Sequence, residues 1–451
     1  MKRSEFTMVT FTLIALCALP ADGASAADRE RSGVLRAPQP REGLVRVYGI
    51  GDCRLVPYFE EAFQPFVRER FARLQVYAPW FDDETAWYGR GMEYKDLYAI
   101  YDCSLTSLEG SCAGQNREHQ EMYDLAMEAE ADPQLDDWIL KDADGNPLYI
   151  PFGCEDGRCP QFAADVRNPA FRELWIAQAA EALSGGAYHG LFVDDVNLDA
   201  RRSLSNGTCS LAGVSEACSW EMPFDEHEWA SAVADFVTEI RAAFPGKEIV
   251  HNSVWFHAEP GDFPLQRQVD AADYINVERG VDDAGIRGGW LWDDNGVPRG
   301  LLNLLHFNDY VHARNRQVTH FLRVQGALGC EPLPLPVDDE RARRLEYGLA
   351  GWLLISDGRD LVGADAHATP DTWWSGFDVN LGVALGDRYV GPSGVLRRDF
   401  ARGVVLLNQP GAGRVMVPLG RTLWTLEGAP VAQVGLLPGS AKVLLRHRPM
   451  P

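Results

Sequence analysis

Short apolar runs recur along this chain from about Leu44 onward, most of them followed by a polar loop and then a stretch with helical spacing. Runs rich in Val, Ile, Leu and Phe that stop at turn residues read as buried strands. Eight of them predict barrel strands over residues 74–78, 97–101, 148–151, 191–194, 248–252, 274–278, 317–322 and 352–356. Residues 161–166 compete with 148–151 for the third place, and residues 44–48 stand as an additional strand.

The helices are better marked. Asn168-Pro169 offers an N-cap and a first-turn proline, after which Phe171, Leu174, Trp175, Ala179, Ala182 and Leu183 share one face. A second helix carries Trp229, Val233, Phe236, Val237, Ile240 and Phe244 and stops at Pro245-Gly246; a third starts near Asp338 and ends near Gly351. Strands alternating with helices imply parallel strands joined by crossovers, and eight strands imply an α/β fold of the (β/α)8 TIM-barrel type. From about Gly386 the pattern changes. Residues 404–407, 414–417, 422–425 and 442–445 are short runs between Gly and Pro, which predicts a small antiparallel β domain.

Composition supports a large globular core, since 46% of 451 residues are hydrophobic, with 13 Trp, 14 Tyr and 20 Phe. Lys2-Arg3, the apolar stretch from Met8 to Leu19 and Ala24-Ser25-Ala26 have the three parts of a secretory signal peptide, so cleavage is expected near Ala26. The apolar stretch is short for a membrane span. The expected organisation is a signal peptide over 1–26, a leader over 27–43, a barrel over 44–385 and the β domain over 386–451, in a secreted or periplasmic protein without stable membrane insertion. Cleavage removes Lys2, Arg3, Glu5 and Asp22 together, so the formal charge stays at −23. A surface this acidic repels phosphate backbones, which excludes nucleic acid as an expected partner.

Without Cys17, eight cysteines enter an oxidising compartment. Cys103/Cys112, Cys154/Cys159 and Cys209/Cys218 are close neighbours within polar, Gly-containing loops and are expected to staple them; Cys53 and Cys330 pair by elimination. No Cys-x-x-Cys occurs and the histidines lack ligand spacing, so no metal and no cofactor are expected.

The candidate chemistry sits where apolar runs stop on acids. Gly190-Leu191-Phe192-Val193 ends in Asp194-Asp195, and Tyr274-Ile275-Asn276-Val277 ends in Glu278. Counted along the barrel these are strands four and six, whose C-terminal ends open on the same face. Two carboxyl groups facing each other there can cleave a glycosidic bond, one ionised as nucleophile or base and the other protonated as acid. Side chains alternate along a strand, so only one of Asp194 and Asp195 points to the axis, and Asp194 is favoured. Asp102, Asn252, His320 and Asp357 also fall at expected strand ends. Tyr77, Trp80, Trp87, Tyr88, Trp255, Trp373 and Trp374 follow strand ends and form a candidate aromatic lining for a sugar.

Other signals fail. Gly49-Ile50-Gly51-Asp52 lacks the third glycine of a dinucleotide loop, there is no Walker loop, His-Glu-x-x-His or Gly-x-Ser-x-Gly, and Asp142-Ala143-Asp144-Gly145-Asn146 reads as a turn rather than a calcium loop.

Asp137-Trp138-Ile139-Leu140 with Asp144-Gly145, then Asp165-Val166-Arg167-Asn168-Pro169, then Gly-Leu-Phe-Val-Asp-Asp, resemble TIM-barrel glycoside hydrolases, notably the hypothetical glycosyl hydrolase family fifteen. The endo-α-1,4-polygalactosaminidase-like barrels are similar more distantly. Trp373-Trp374, Asp378-Val379-Asn380-Leu381-Gly382, Arg398-Asp399-Phe400 and Gly403-Val404-Val405-Leu406-Leu407-Asn408 resemble the barrel end and β appendage of the same group. The resemblance spans about Leu74 to Asn408. It implies a carbohydrate-active barrel with Asp194 at the strand-four acid position and Glu278 at the strand-six acid position. The resulting expectation is a secreted glycoside hydrolase of poly- or oligosaccharides, with Asp194 as nucleophile or base, Glu278 as general acid and a preference for retention. A catalytically silent carbohydrate-binding barrel is the alternative.

Overall fold

The protein is described by a computed structural model covering residues 42–449 apart from 52–53, 77–80, 83–85, 106–118, 133, 153, 155–158, 207–220, 254–260, 279, 283–299, 323–338 and 365–366. The chain begins with β1 (Val47–Ile50), α1 (Gln64–Arg70), β2 (Phe71–Val76), β3 (Gly91–Asp96), β4 (Ala99–Tyr101), α2 (His119–Ala131) and β5 (Gln161–Ala163). It continues through α3 (Pro169–Ser184), β6 (Tyr188–Asp194), α4 (Glu226–Ala243), β7 (Glu248–Asn252), α5 (Phe263–Ala271) and β8 (Tyr274–Glu278). Then come α6 (Gly300–Ala313), β9 (Gln317–Leu322), α7 (Asp339–Ile355) and β10 (Leu361–Ala364). The C-terminal strands are β11 (Tyr389–Val390), β12 (Leu396–Phe400), β13 (Gly403–Asn408), β14 (Val415–Trp424), β15 (Pro430–Leu436) and β16 (Ser440–Leu445).

Eight parallel strands close into a barrel in the order β1-β2-β3-β6-β7-β8-β9-β10. This is the expected α/β barrel, but three of its members differ from the expected strands. Residues 97–101 do not enter the barrel; β4 pairs with β5 in a small antiparallel sheet inserted after β3. Residues 148–151 join that insert only through isolated bridges of Tyr149 to Phe162 and Ser205. Residues 352–355 close the helix α7 instead of forming a strand. The places are taken by β1, which overlaps the additional strand at 44–48, by β3 and by β10.

Each exchange has a physical cause. The β3 sequence Gly-Met-Glu-Tyr-Lys-Asp lacks an apolar run because charged residues occupy its outer face, where Lys95 Nζ donates to Gln178 Oε1 of α3 (3.1 Å) and lies over the Trp175 ring. The end of α7 is apolar on every side because it is packed on every side: Leu349, Ala350, Trp352, Leu353 and Leu354 are all buried. Helix and strand patterns coincide in such a run. By contrast α3 starts as expected, with Asn168 Oδ1 accepting from the Ala170 and Phe171 amides ahead of Pro169.

The barrel interior is filled by side chains. Tyr48, Met92, Phe192, Val250, Tyr274, Phe321 and Leu361 form one inner cluster, with Phe192 stacked on Tyr94. Gly190 lets β6 and β7 approach, since a Cβ there would sit 1.9 Å from the Glu248 carbonyl oxygen. Below this layer, at the N-terminal ends of the strands, Arg73 makes a bidentate pair with Glu248 (2.6 and 2.9 Å).

The C-terminal strands form an antiparallel sheet ordered β11-β12-β13-β16-β14-β15. Alternation along β13 splits it between two cores: Val405 and Leu407 join the barrel's outer core, while Val404 and Leu406 join a separate cluster with Val417, Val434 and Leu436. Polar clamps fix the first face. Glu346 of α7 accepts from the Val443 amide (2.9 Å) and Lys442 Nζ (2.5 Å), and the Arg398 guanidinium donates to the Leu353 and Ser356 carbonyls.

Cys154 and Cys159 are joined as a disulfide, with Cα atoms 4.1 Å apart. Cys103 is disulfide-bonded, and its expected partner Cys112 lies outside the described residues, as do Cys53, Cys209, Cys218, Cys330, the expected signal peptide and all of the expected leader but Glu42 and Gly43. The Asp142 loop is a turn: Asp142 Oδ1 accepts from the Asp144 and Asn146 amides, and Gly145 has φ of 83°. Among the described residues no helix is long and apolar enough to cross a membrane.

Candidate active site

β3, β6, β7 and β8 are consecutive around the barrel, and they end at its mouth on Asp96, Asp194, Asn252 and Glu278. Phe192 belongs to the inner cluster, so alternation turns Asp194 to the same side, toward the axis. Asp194 Oδ2 accepts from the Tyr94 hydroxyl at 2.7 Å, and Oδ1 accepts from Asn252 Nδ2 at 2.6 Å and from the Asp195 amide at 2.9 Å. Asn276 Nδ2 in turn donates to Asn252 Oδ1 at 2.7 Å, which fixes the orientation of the Asn252 amide. Three strands thus converge on one carboxyl group.

Asp195 leaves the strand in the left-handed region, with φ of 52°. Asp tolerates this conformation better than most residues, and such departures gather at functional sites. Asn197 Nδ2 donates to Asp195 Oδ1 at 2.9 Å, and the carboxyl of Asp195 lies within hydrogen-bonding reach of that of Asp96.

Desolvation raises the pKa of Asp194, opposed by the hydrogen bonds from Tyr94 and Asn252 and reinforced by the charge of Glu278. Desolvation and the neighbouring aspartates push Asp195 well above the usual carboxyl range. Asp96 is raised for the same reasons, against two backbone amides that favour its charged form. Glu278 is exposed at the end of β8. The mouth therefore holds one carboxyl gripped by donors, one open to solvent and two close together whose ionisation burial disfavours.

The remaining expected residues lie elsewhere. Asn252 is part of the site. Asp102 follows β4 in the insert, where its carboxylate accepts from the Ser104 amide at 3.0 Å and hydroxyl at 2.5 Å. His320 is buried on the outer side of β9, beside Asn308 of α6, and burial lowers its pKa to about 3. Asp357 precedes β10 and so lies at the opposite end of the barrel from Asp194, paired with Arg359. There His312, Asp357 and Asp360 form a trio with metal-ligand chemistry, but Asp360 already accepts from the Val318 and Asp357 amides and contacts His312.

The described aromatics are packing groups. Tyr88 is buried, with its hydroxyl on the Phe71 carbonyl at the start of β2, and Trp87 packs on Phe59 and Arg68. Trp373 packs on Phe66 and Phe71, and Trp374 on Phe377. Tyr77, Trp80 and Trp255 lie outside the described residues. Tyr94, Asp96, Asn197 and Asn276 were missed by the sequence reading. Asn276 was in plain view, two positions before Glu278 and on the same face; Tyr94 and Asp96 were hidden with β3.

Residues 100–404 match hypothetical glycosyl hydrolase family 15, well over half of the chain. No match is found among the curated proteins. Among solved structures, Amy13B of Eubacterium rectale aligns over 91% of this chain and 97% of its own, with 8% identity and a TM-score of 0.51, a likeness of fold. The glycoside hydrolase domain of PelA from Pseudomonas aeruginosa aligns over 76% of this chain and 98% of its own, with 16% identity and a TM-score of 0.38. Ega3 of Aspergillus fumigatus, in complex with galactosamine, aligns over 74% and 95%, with 10% identity and a TM-score of 0.38. With its closed eight-stranded barrel, the chain belongs to hypothetical glycosyl hydrolase family 15 and is a glycoside hydrolase.

Proposed function

We propose that this hydrolase is exported and cleaves a poly- or oligosaccharide with retention of anomeric configuration, using Asp194 as nucleophile and Glu278 as general acid and base. The observation that carries this reading is the grip on Asp194: an inward carboxyl whose two oxygens accept from Tyr94, Asn252 and the Asp195 amide. Donors in that number favour the ionised form and fix its direction, as a nucleophile requires. Glu278, two strands away and open to solvent, is close enough for its charge to act on Asp194 and can exchange protons with water.

In the first step an Asp194 oxygen attacks the anomeric carbon, the bond from that carbon to the leaving oxygen breaks, and the Glu278 proton passes to the leaving oxygen. In the second, Glu278 takes a proton from water, whose oxygen displaces Asp194 from the anomeric carbon. Asp194→Asn and Glu278→Gln are expected to keep the fold and to lower turnover by several orders of magnitude, measured as reducing sugar released from a panel of polysaccharides. Asp195→Asn should lose less. Full turnover by Asp194→Asn would remove it from the role. Proton NMR of the first product anomer separates retention from inversion.

A further inference from the structure

Asp96 has no place in the two-carboxyl scheme, yet it is buried directly beside the proposed nucleophile. In the ladder between β3 and β6 its Cα partner is Asp194, and the Leu97 amide donates to the Asp194 carbonyl at 3.1 Å, so the two strand ends are tied together. Asp96 Oδ1 accepts from the amides of Tyr98 at 2.9 Å and Ala99 at 2.8 Å. Its backbone is anchored as well, since Trp175 Nε1 donates to the Asp96 carbonyl at 2.7 Å.

Two carboxyl groups can share a hydrogen bond only when one carries a proton, because an ionised carboxylate has no donor. Asp96, with two amides on one oxygen, is the better anion of the pair. Asp195 is then the donor, consistent with its single side-chain amide contact from Asn197. We propose that Asp96 is a positioning residue: its carboxylate accepts the proton-bearing carboxyl of Asp195, keeping Asp195 neutral and in its left-handed turn, with its amide directed at Asp194 Oδ1. The consequence is electrostatic and geometric together. The pair's single negative charge is kept on Asp96 rather than on the residue that adjoins Asp194 in the chain, and one of the three donors on Asp194 is held in place.

The groups acting on this pair are Tyr98 just beyond β3, Asp194 from β6 and Glu278 from β8; among the described residues, Lys95 next to Asp96 is engaged with Gln178 and Arg201 beyond Asp195 with Glu226. A shared proton relieves the repulsion among these carboxyls. In Asp96→Asn the acceptor charge is lost and Asp195 ionises, so the charge moves to the residue adjoining Asp194 and the turn that aims the Asp195 amide at Asp194 is released; both disfavour ionisation of Asp194.

The inference rests on Asp194 being the reacting carboxylate, but its first test does not. Infrared spectra of the full-length protein at neutral pH should contain the C=O stretch of a protonated carboxyl that disappears in Asp195→Asn and in Asp96→Asn. The second test is the pH profile of turnover on the polysaccharide that wild type cleaves fastest. Asp96→Asn should move the acidic limb upward by about one pH unit, Asp195→Asn should leave that limb where it is, and the double variant, which carries neither charge, should bring it back to the wild-type position or below it. A wild-type spectrum without the band, a band that survives Asp195→Asn, or a double variant as shifted as Asp96→Asn would overturn the proposal. Should Asp96→Asn fail to fold, the infrared comparison of wild type with Asp195→Asn decides alone. An active Asp194→Asn with the band pattern intact would instead refute the assignment of the nucleophile.

Discussion

Tyr94 joins the two halves of the site, since its ring stacks on Phe192 within the barrel while its hydroxyl reaches Asp194 Oδ2 at 2.7 Å. Replacing it by Phe keeps the stack and deletes one donor that lowers the Asp194 pKa. The acidic limb of the activity profile should therefore rise by about one pH unit, because a carboxylate that loses a hydrogen bond is harder to ionise. Turnover at neutral pH should fall about tenfold or more, and an unshifted profile would contradict the role given to this hydroxyl. The inward position of Asp194 is legible because an apolar run ends on it and alternation turns it to the side of Phe192. Asp96 was not, because it closes a strand whose outer face is charged. Residue type alone misled at Trp87, Tyr88, Trp373 and Trp374: an aromatic after a strand can line a mouth or pack beneath it, and nothing in the sequence says which end of the barrel it reaches.

Among the elements, β2 and β7 are joined across the barrel floor by Arg73 and Glu248, each with 15% of its side chain exposed. Glu248 is desolvated, which alone would raise its pKa, but hydrogen bonds from His189 and Arg73 hold it down to about 2. A folded-state pKa below the unfolded value means stability that is present above pH 4.5 and is lost as pH falls toward about 2. Glu248→Gln should cost about 3 kcal/mol at neutral pH by leaving Arg73 without its charge partner, and should flatten the acid side of the stability curve. Urea unfolding at several pH values measures both. An equal loss of stability at every pH would show that packing, not charge, sets the cost. Elements with a clean signature, such as α3 with its Asn-Pro start or β7 and β8 with their apolar runs, were readable. The insert between β3 and β6 and the fully packed end of α7 were not, because burial on all sides erases the periodicity that distinguishes helix from strand.

At the scale of the molecule, the C-terminal sheet shares the barrel's outer core through Leu396, Phe400, Val405, Leu407, Ala441 and Val443. Glu346, buried on α7, draws both its hydrogen bonds from β16, and without that sheet its carboxyl would lose the Lys442 cation and the Val443 amide. A module that merely tethered substrate would need neither a shared core nor buried polar clamps. Of the aromatics this sheet could offer for stacking, Trp424 is only partly exposed and lies under the Arg448 guanidinium, 5.8 Å from its ring centroid, and the hydroxyl of the exposed Tyr389 is tied to Asp399. The sheet is therefore expected to act as a structural cover for α7. Residues 27–385 expressed alone should aggregate or unfold at lower temperature, since an apolar face of this size is not tolerated in water. Size-exclusion chromatography and thermal melting of the truncated protein decide the matter: a monomeric barrel that melts with the full chain, keeps its turnover on short oligosaccharides and has lost only affinity for polymer would make the sheet a binding module instead.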